Sequence, residues 1–116
     1  MTFSKDLVAA SATPIILAIL QNHESYGYAI IRKVQTISSH KIEWTEGMLY
    51  PVLHRLESSA LISSQWQKSE HGRKRKYYHI TEAGINELEA LKLQWAVVHQ
   101  ALQILENEGK GVSNHV

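Results

Sequence analysis

The stretch that decides the fold runs from Thr45 to Thr81, TEGMLYPVLHRLESSALISSQWQKSEHGRKRKYYHIT. Thr45 suits a helix N-cap, because its hydroxyl can accept from an N–H that the first turn leaves unpaired. Leu49, Val52, Leu53 and Leu56 follow at the 3–4 spacing of one helical face. That helix should end near Ala60. Ile62 to Gln67 and Lys76 to Ile80 then read as strands, and the segment between them contains Gly72. The turn His71-Gly72-Arg73-Lys74-Arg75 is cationic. On a hairpin tip the consecutive cations Arg73 to Lys76 cannot all face a core, so most should project into solvent. A groove-compatible helix followed by a charged hairpin predicts a mostly α chain with a small β-hairpin, a winged helix-turn-helix.

Charge is distributed to match. The chain as a whole carries +1, but Thr45 to Ile80 holds six Lys or Arg against three Glu, a net +3. From Thr81 to Val116 there are two Lys against five Glu, a net −3. Phosphate binding needs a local basic face rather than a high overall charge. Tyr50, His54 and Arg55 can donate to phosphates or base edges. With Thr45, Met48 and Pro51 they make the expected DNA-facing side of the third helix. Arg73, Lys74, Arg75, Lys76 and Tyr26 complete that surface. Pro51 removes a backbone bond; it either shapes the exposed surface or is tolerated where early helical donors are free.

Before this stretch, Ile15, Ile16, Ile19 and Leu20 form an apolar helical face. Either Thr13-Pro14 starts that helix, or Val8 and Ala12 extend it backwards through a kink at Pro14. Residues 1–12 are therefore an arm or the first turns. Ser25 reads as a cap for a second helix from about Tyr26 to Ser38, and Ile42 could sit in a brief strand. The domain expectation is a DNA-binding unit over residues 1–80, a dimerisation helix over 81–108, and a disordered tail over 109–116.

The last helix carries Leu88, Leu91, Trp95, Val98, Leu102 and Leu105, an alternating 3–4 seam. At 1.5 Å per residue, a helix of about 26 residues is roughly 39 Å long, more than a small domain needs. Its far end should meet the same helix of a second copy in a twofold homodimer. Trp95 is either an anchor of that seam or one wall of a site for a small planar aromatic effector. Trp44 and Trp66 read as structural.

The remaining composition narrows the class. One domain is expected from 116 residues, and 44% hydrophobic residues suffice for a core. There are no cysteines, which excludes disulfides and cysteine-type zinc sites and fits the cytoplasm. The apolar run Pro14 to Leu20 is too short to span a bilayer, and no leader peptide is expected. The seven histidines are scattered, without an HExxH pattern, so no metal or other cofactor is expected. No nucleotide or acyl-transfer motif supports an enzyme. The competing non-enzymatic reading is a winged helix that binds another protein instead of DNA.

Three blocks together resemble the PadR family of bacterial transcriptional regulators: Tyr26 to Ile30, Gly47 to Glu57, and Gly72 to Gly84. The likeness spans roughly residues 13 to 106 and is to the small members with a single C-terminal dimerisation helix. It implies a homodimer whose third helix enters the major groove of a pseudo-palindromic operator while the wing reaches the adjacent backbone. It places Tyr50, His54, Arg55 and Arg73 to Lys76 at or near DNA. Small members include sensors of flat aromatic compounds, and a repressor released by such an effector is the expectation. Two positions depart from the family pattern. Met48 replaces a small residue, and Ala60 replaces a helix-ending glycine, so a less left-handed turn is expected there.

Overall fold

The computed structural model describes residues 2–111. In chain order it contains α1 (Lys5–Asn22), β1 (Ser25–Tyr26), α2 (Gly27–Ile37), α3 (Glu46–Ser58), β2 (Ile62–Lys68), β3 (Lys74–Ile80) and α4 (Glu82–Gly111). Helix α1 starts early, capped by Ser4, whose hydroxyl accepts from the Leu7 N–H at 3.1 Å. It continues through Pro14, so residues 5–12 are helical turns rather than an arm. Its apolar side, Ala12, Ile16, Leu17, Ile19 and Leu20, forms the floor of the core. Ile30, Ile31 and Val34 of α2 and Leu49, Leu53 and Leu56 of α3 close over it.

The sheet has three antiparallel strands in the order β1-β3-β2. Ser25 is not a helix cap. It pairs with Tyr78, and Tyr26 pairs with Tyr77. Two residues carry no periodicity, so such a strand is invisible until its partner is in place. Ile42 lies outside any strand. The chain turns out of α2 through Ser39 and His40, both at positive φ, and the Ser38 hydroxyl accepts from the Ile42 N–H at 2.9 Å.

The end of α3 corrects an expectation. Ala60 is left-handed at φ 62°, despite its Cβ. The Ala60 N–H donates to the Glu57 carbonyl and the Leu61 N–H to the Leu56 carbonyl, both at 3.0 Å. That bond pair is the Schellman arrangement, and Leu61 packs against the core as it leaves the turn. Two carbonyl bonds and one half-buried leucine thus hold an alanine where glycine is the unstrained choice. Thr81 then ties this turn to α4. Its hydroxyl donates to the Ala60 carbonyl at 2.7 Å and accepts from the Gly84 N–H at 3.0 Å. Gly84 lies directly against the Leu61 carbonyl, where no side chain fits.

Helix α4 is 30 residues long, about 45 Å at its standard rise. Gly109 to Gly111 continue it, so the expected tail does not begin at 109; residues 112–116 lie outside the described part. Leu88 is buried in the chain's own core, 1% exposed, and Leu91 packs against that core. Neither is the free seam residue expected of it. Farther along, Val98, Leu102 and Leu105 are 57–63% exposed. Leu93, Val97 and Ile104, absent from the expected seam, are also exposed. The helix leaves the core with an apolar surface that the described residues do not cover.

The strained turn gives a direct test. Ala60→Gly removes a left-handed penalty of about 1–2 kcal/mol and adds some unfolded-chain entropy. A net stabilisation of about 0.5–1 kcal/mol is expected, read as a higher urea midpoint at unchanged slope. A lower midpoint would mean the turn stores no strain.

Candidate nucleic-acid interface

Helix α3 is positioned by its buried side. Thr45 caps it, the hydroxyl accepting from the Met48 N–H at 3.2 Å. Leu49, Leu53 and Leu56 face inward, so Gly47, Pro51, His54 and Ser58 share the opposite, exposed ridge. Pro51 lies beyond the turn whose donors are free, since the Leu49 N–H already bonds the Thr45 carbonyl. The proline therefore denies a partner to the Gly47 carbonyl on the exposed ridge. Early-turn tolerance does not explain it.

The polar residues of α3 do not form one surface. Tyr50 and Arg55 lie about 140° apart around the helix. The Tyr50 phenol reaches across to α2 and rests against Gly27, in space that a Cβ there would occupy. The Arg55 guanidinium points the other way and donates to the Thr13 hydroxyl of α1 at 3.2 Å. Met48 is half-buried and packs against the core, so it is not on the ridge. Glu57, near the C-terminal end, links helix to wing. It accepts from the Ser64 hydroxyl at 2.5 Å and faces the Lys76 ammonium at 3.8 Å.

The wing hairpin is closed by the Gly72 N–H donating to the Ser69 carbonyl at 3.0 Å, with Gly72 at φ 80°. The last ladder pair is Lys68 with Lys74, and beyond it the Ser69 N–H donates to the Arg73 carbonyl at 2.7 Å. Of the four cations, only Arg73 lies in the turn; the other three belong to β3 and alternate between its faces. Lys74 and Lys76 share the face of Tyr78, while Arg75 shares that of Tyr77. The Arg75 guanidinium stacks on Tyr26 at 4.4 Å, and Tyr26 meets Tyr77 edge-on at 5.3 Å. Arg75 and Lys76 are consequently half-buried rather than free at a tip. Tyr26 supports the wing from below as well as bordering the surface.

Because β1 is only two residues long, β3 runs past it with an open edge. There a cleft of about 680 Å³ separates the wing from α2 and α3. Its wall combines Tyr26, Tyr28, Tyr50, Tyr78 and Trp66 with Arg73, Lys74, Arg75 and Lys76. Burial, then the Glu57 carboxylate, then Tyr50 hold the Tyr78 phenol above its ordinary pKa, so it is a neutral donor here. Trp66 and Tyr28 were not expected at this site. Trp66 was legible in principle: period-2 counting from buried Ile62 places Ser64 and Trp66 on the inner face. Tyr28 carries no such signal, and only the fold brings α2 to the cleft. Trp44 is structural as expected, 5% exposed in the core.

Trp95 lies elsewhere. It borders an apolar groove of about 650 Å³ between α1 and α4, with Pro14, Ile15, Ala18, Ala96 and His99. Among the described residues, no three His, Cys, Asp or Glu side chains converge as a metal site. None of their helices is long and apolar enough to cross a membrane.

Comparison with known proteins agrees with this geometry. Residues 16–90 match the model of the transcriptional regulator PadR-like family. The chain is 30% identical over 99 residues to an uncharacterized protein of Lysinibacillus sphaericus, covering 85% of this chain and 91% of that one. It superposes on a PadR-like transcriptional regulator from Bacillus cereus with a TM-score of 0.76 and 33% identity, over 87% of this chain and 96% of the other. A transcriptional regulator from Clostridium thermocellum gives a TM-score of 0.78 at 27% identity, over 85% and 96%.

Proposed function

We propose, for a chain that belongs to the PadR-like family of transcriptional regulators, that it works as a twofold dimer on a pseudo-palindromic DNA operator. The family is one of winged-helix regulators and not of enzymes. In the proposed complex, the ridge of Gly47, Pro51, His54 and Ser58 enters the major groove. The wing cleft holds the neighbouring sugar-phosphate backbone. The observation that carries this reading is the cleft itself, where four cations and five aromatic rings meet beside α3. Cations neutralise phosphates without reading sequence, and the exposed ridge supplies the base contacts.

Salt dependence separates this from a protein-binding wing. Replacing Arg73 and Lys74 by Ala should weaken binding to every duplex and reduce the salt slope by about 1 per residue. His54→Ala should instead cost roughly 1–3 kcal/mol on the operator alone. Equal loss on operator and random duplex for His54→Ala would remove the ridge from base reading. An unchanged slope for the wing variant would remove the wing from the backbone.

Dimerisation is proposed through the distal half of α4. Supporting it are the exposed Trp95, Val98, Leu102 and Leu105 on one side and Leu93, Val97 and Ile104 on the other. Two third helices would then stand about one DNA turn apart, roughly 34–36 Å. Val98→Glu with Leu102→Glu should give a folded monomer, because like charges would be buried across the twofold seam. Sedimentation finding that variant still dimeric would sink the seam.

Repression relieved by a planar aromatic effector is the last element of the proposal. The groove between α1 and α4 offers Trp95 as a stacking wall and little polar surface. Release requires tighter effector binding to the DNA-free arrangement than to the DNA-bound one. Titration with a panel of planar aromatics should quench the parent's tryptophan emission and leave Trp95→Ala unaffected. Equal quenching in both would make Trp95 a packing residue only.

A further inference from the structure

We infer that Trp66 is an apolar contact to duplex DNA, its indole packing on a deoxyribose between phosphates held by the wing cations. This rests on the reading that the wing cleft holds the DNA backbone. Tryptophan is ordinarily well covered, so a bare one is the informative case. Trp66 is 64% exposed, more than any residue of the head that is comparably apolar.

Its exposure is set by its place in the sheet. On the face turned toward α3, β2 presents Ile62 in the core, then Ser64 on Glu57, then Trp66 where the core ends. Trp66 pairs across the ladder with Lys76, and the next inward-facing pair is Lys68 with Lys74. The indole is therefore bracketed by lysines and looks across the cleft at Tyr28 and Tyr50. Packing does not account for it there, because the next residues on its own face, Lys68 and Lys74, are charged and exposed.

The occupant must offer anionic groups with apolar surface between them. A free inorganic anion would satisfy the lysines and leave the indole wet. The nucleic-acid backbone alternates phosphate with sugar and meets both needs. Within a duplex the bases are stacked on each other, so the surface available to the indole is the C–H edge of a deoxyribose. Such a contact takes apolar area out of water and releases no counterion. It adds affinity that salt does not screen and that sequence does not alter.

The experiment uses the full chain and a fluorescein-labelled, mixed-sequence duplex of about two helical turns, titrated from about 50 to about 200 mM salt. Trp66→Ala should bind about tenfold more weakly at every salt concentration, with the parent's slope. Trp66→Phe should recover most of the loss. Lys74→Ala, alongside, should change the slope instead. Unlabelled duplex should shift the parent's tryptophan emission, and that shift should vanish in Trp66→Phe. Parent-like affinity in Trp66→Ala would overturn the contact while leaving the cleft's DNA reading intact. So would a slope change equal to that of Lys74→Ala, which would mean the indole only positions a neighbouring lysine. A parent that binds no duplex would overturn the DNA reading, and the contact with it.

Discussion

Burial of one side of α3 is the constraint on which the rest depends. Leu49, Leu53 and Leu56 are taken out of water in one cluster with Ile16, Leu17 and Leu20 of α1 and Ile30 and Val34 of α2. Each such side chain contributes on the order of 1.5–3 kcal/mol, so rotating the helix would forfeit several kcal/mol. With the rotation fixed, Gly47, Pro51, His54 and Ser58 can only face outward. The exposed ridge is the geometric complement of the core stripe.

The wing is rooted in the core by Ile62 and Tyr78 and is tied to this helix farther out by short-range polar links. Glu57 bonds Ser64 and faces Lys76, which fixes the angle at which the hairpin leaves the head. Beyond Ser64 and Tyr78 the hairpin is supported by its own ladder, by the Tyr26–Tyr77 pair and by the Gln67 amide donating to the Glu24 carboxylate at 3.2 Å, with Arg75 on Tyr26 from the outer side. At the other end of β2, Thr81 clasps the left-handed turn at Ala60 and starts α4 in the same three hydrogen bonds. The end of the third helix and the start of the last are thereby one rigid joint. The direction of α4 is set by this joint together with the packing of Leu88 and Leu91 against the core.

The consecutive cations show how a sequence pattern can mislead. Arg73 to Lys76 look equivalent as a charge run. The strand separates them, since successive residues of β3 face opposite sides. Lys76 is offset by Glu57 and Arg75 by an aromatic face, so Arg73 and Lys74 keep the most accessible charge. The seam on α4 misled in a related way. Its 3–4 spacing is real, but the first two positions satisfy the chain's own core, and only those beyond Leu91 remain for another surface.

Read alone, the sequence determined the mostly helical class, the position of α3, the hairpin and the long last helix. Each rests on a local rule: a repeat of 3.6, alternation by 2, a capping threonine, a glycine at a turn. The basic surface was legible for the same reason, because charge is carried by composition. What only the tertiary structure decided depends on residues far apart in the chain. Ser25 and Tyr26 form a strand because β3 is there to pair with them. Tyr50 lies against Gly27, Arg55 turns to Thr13, and Leu88 is consumed by the core. Trp66 stands bare because the core stops one residue pair short of it. No periodicity encodes such facts, since each is settled by which surface arrives opposite once the chain has folded.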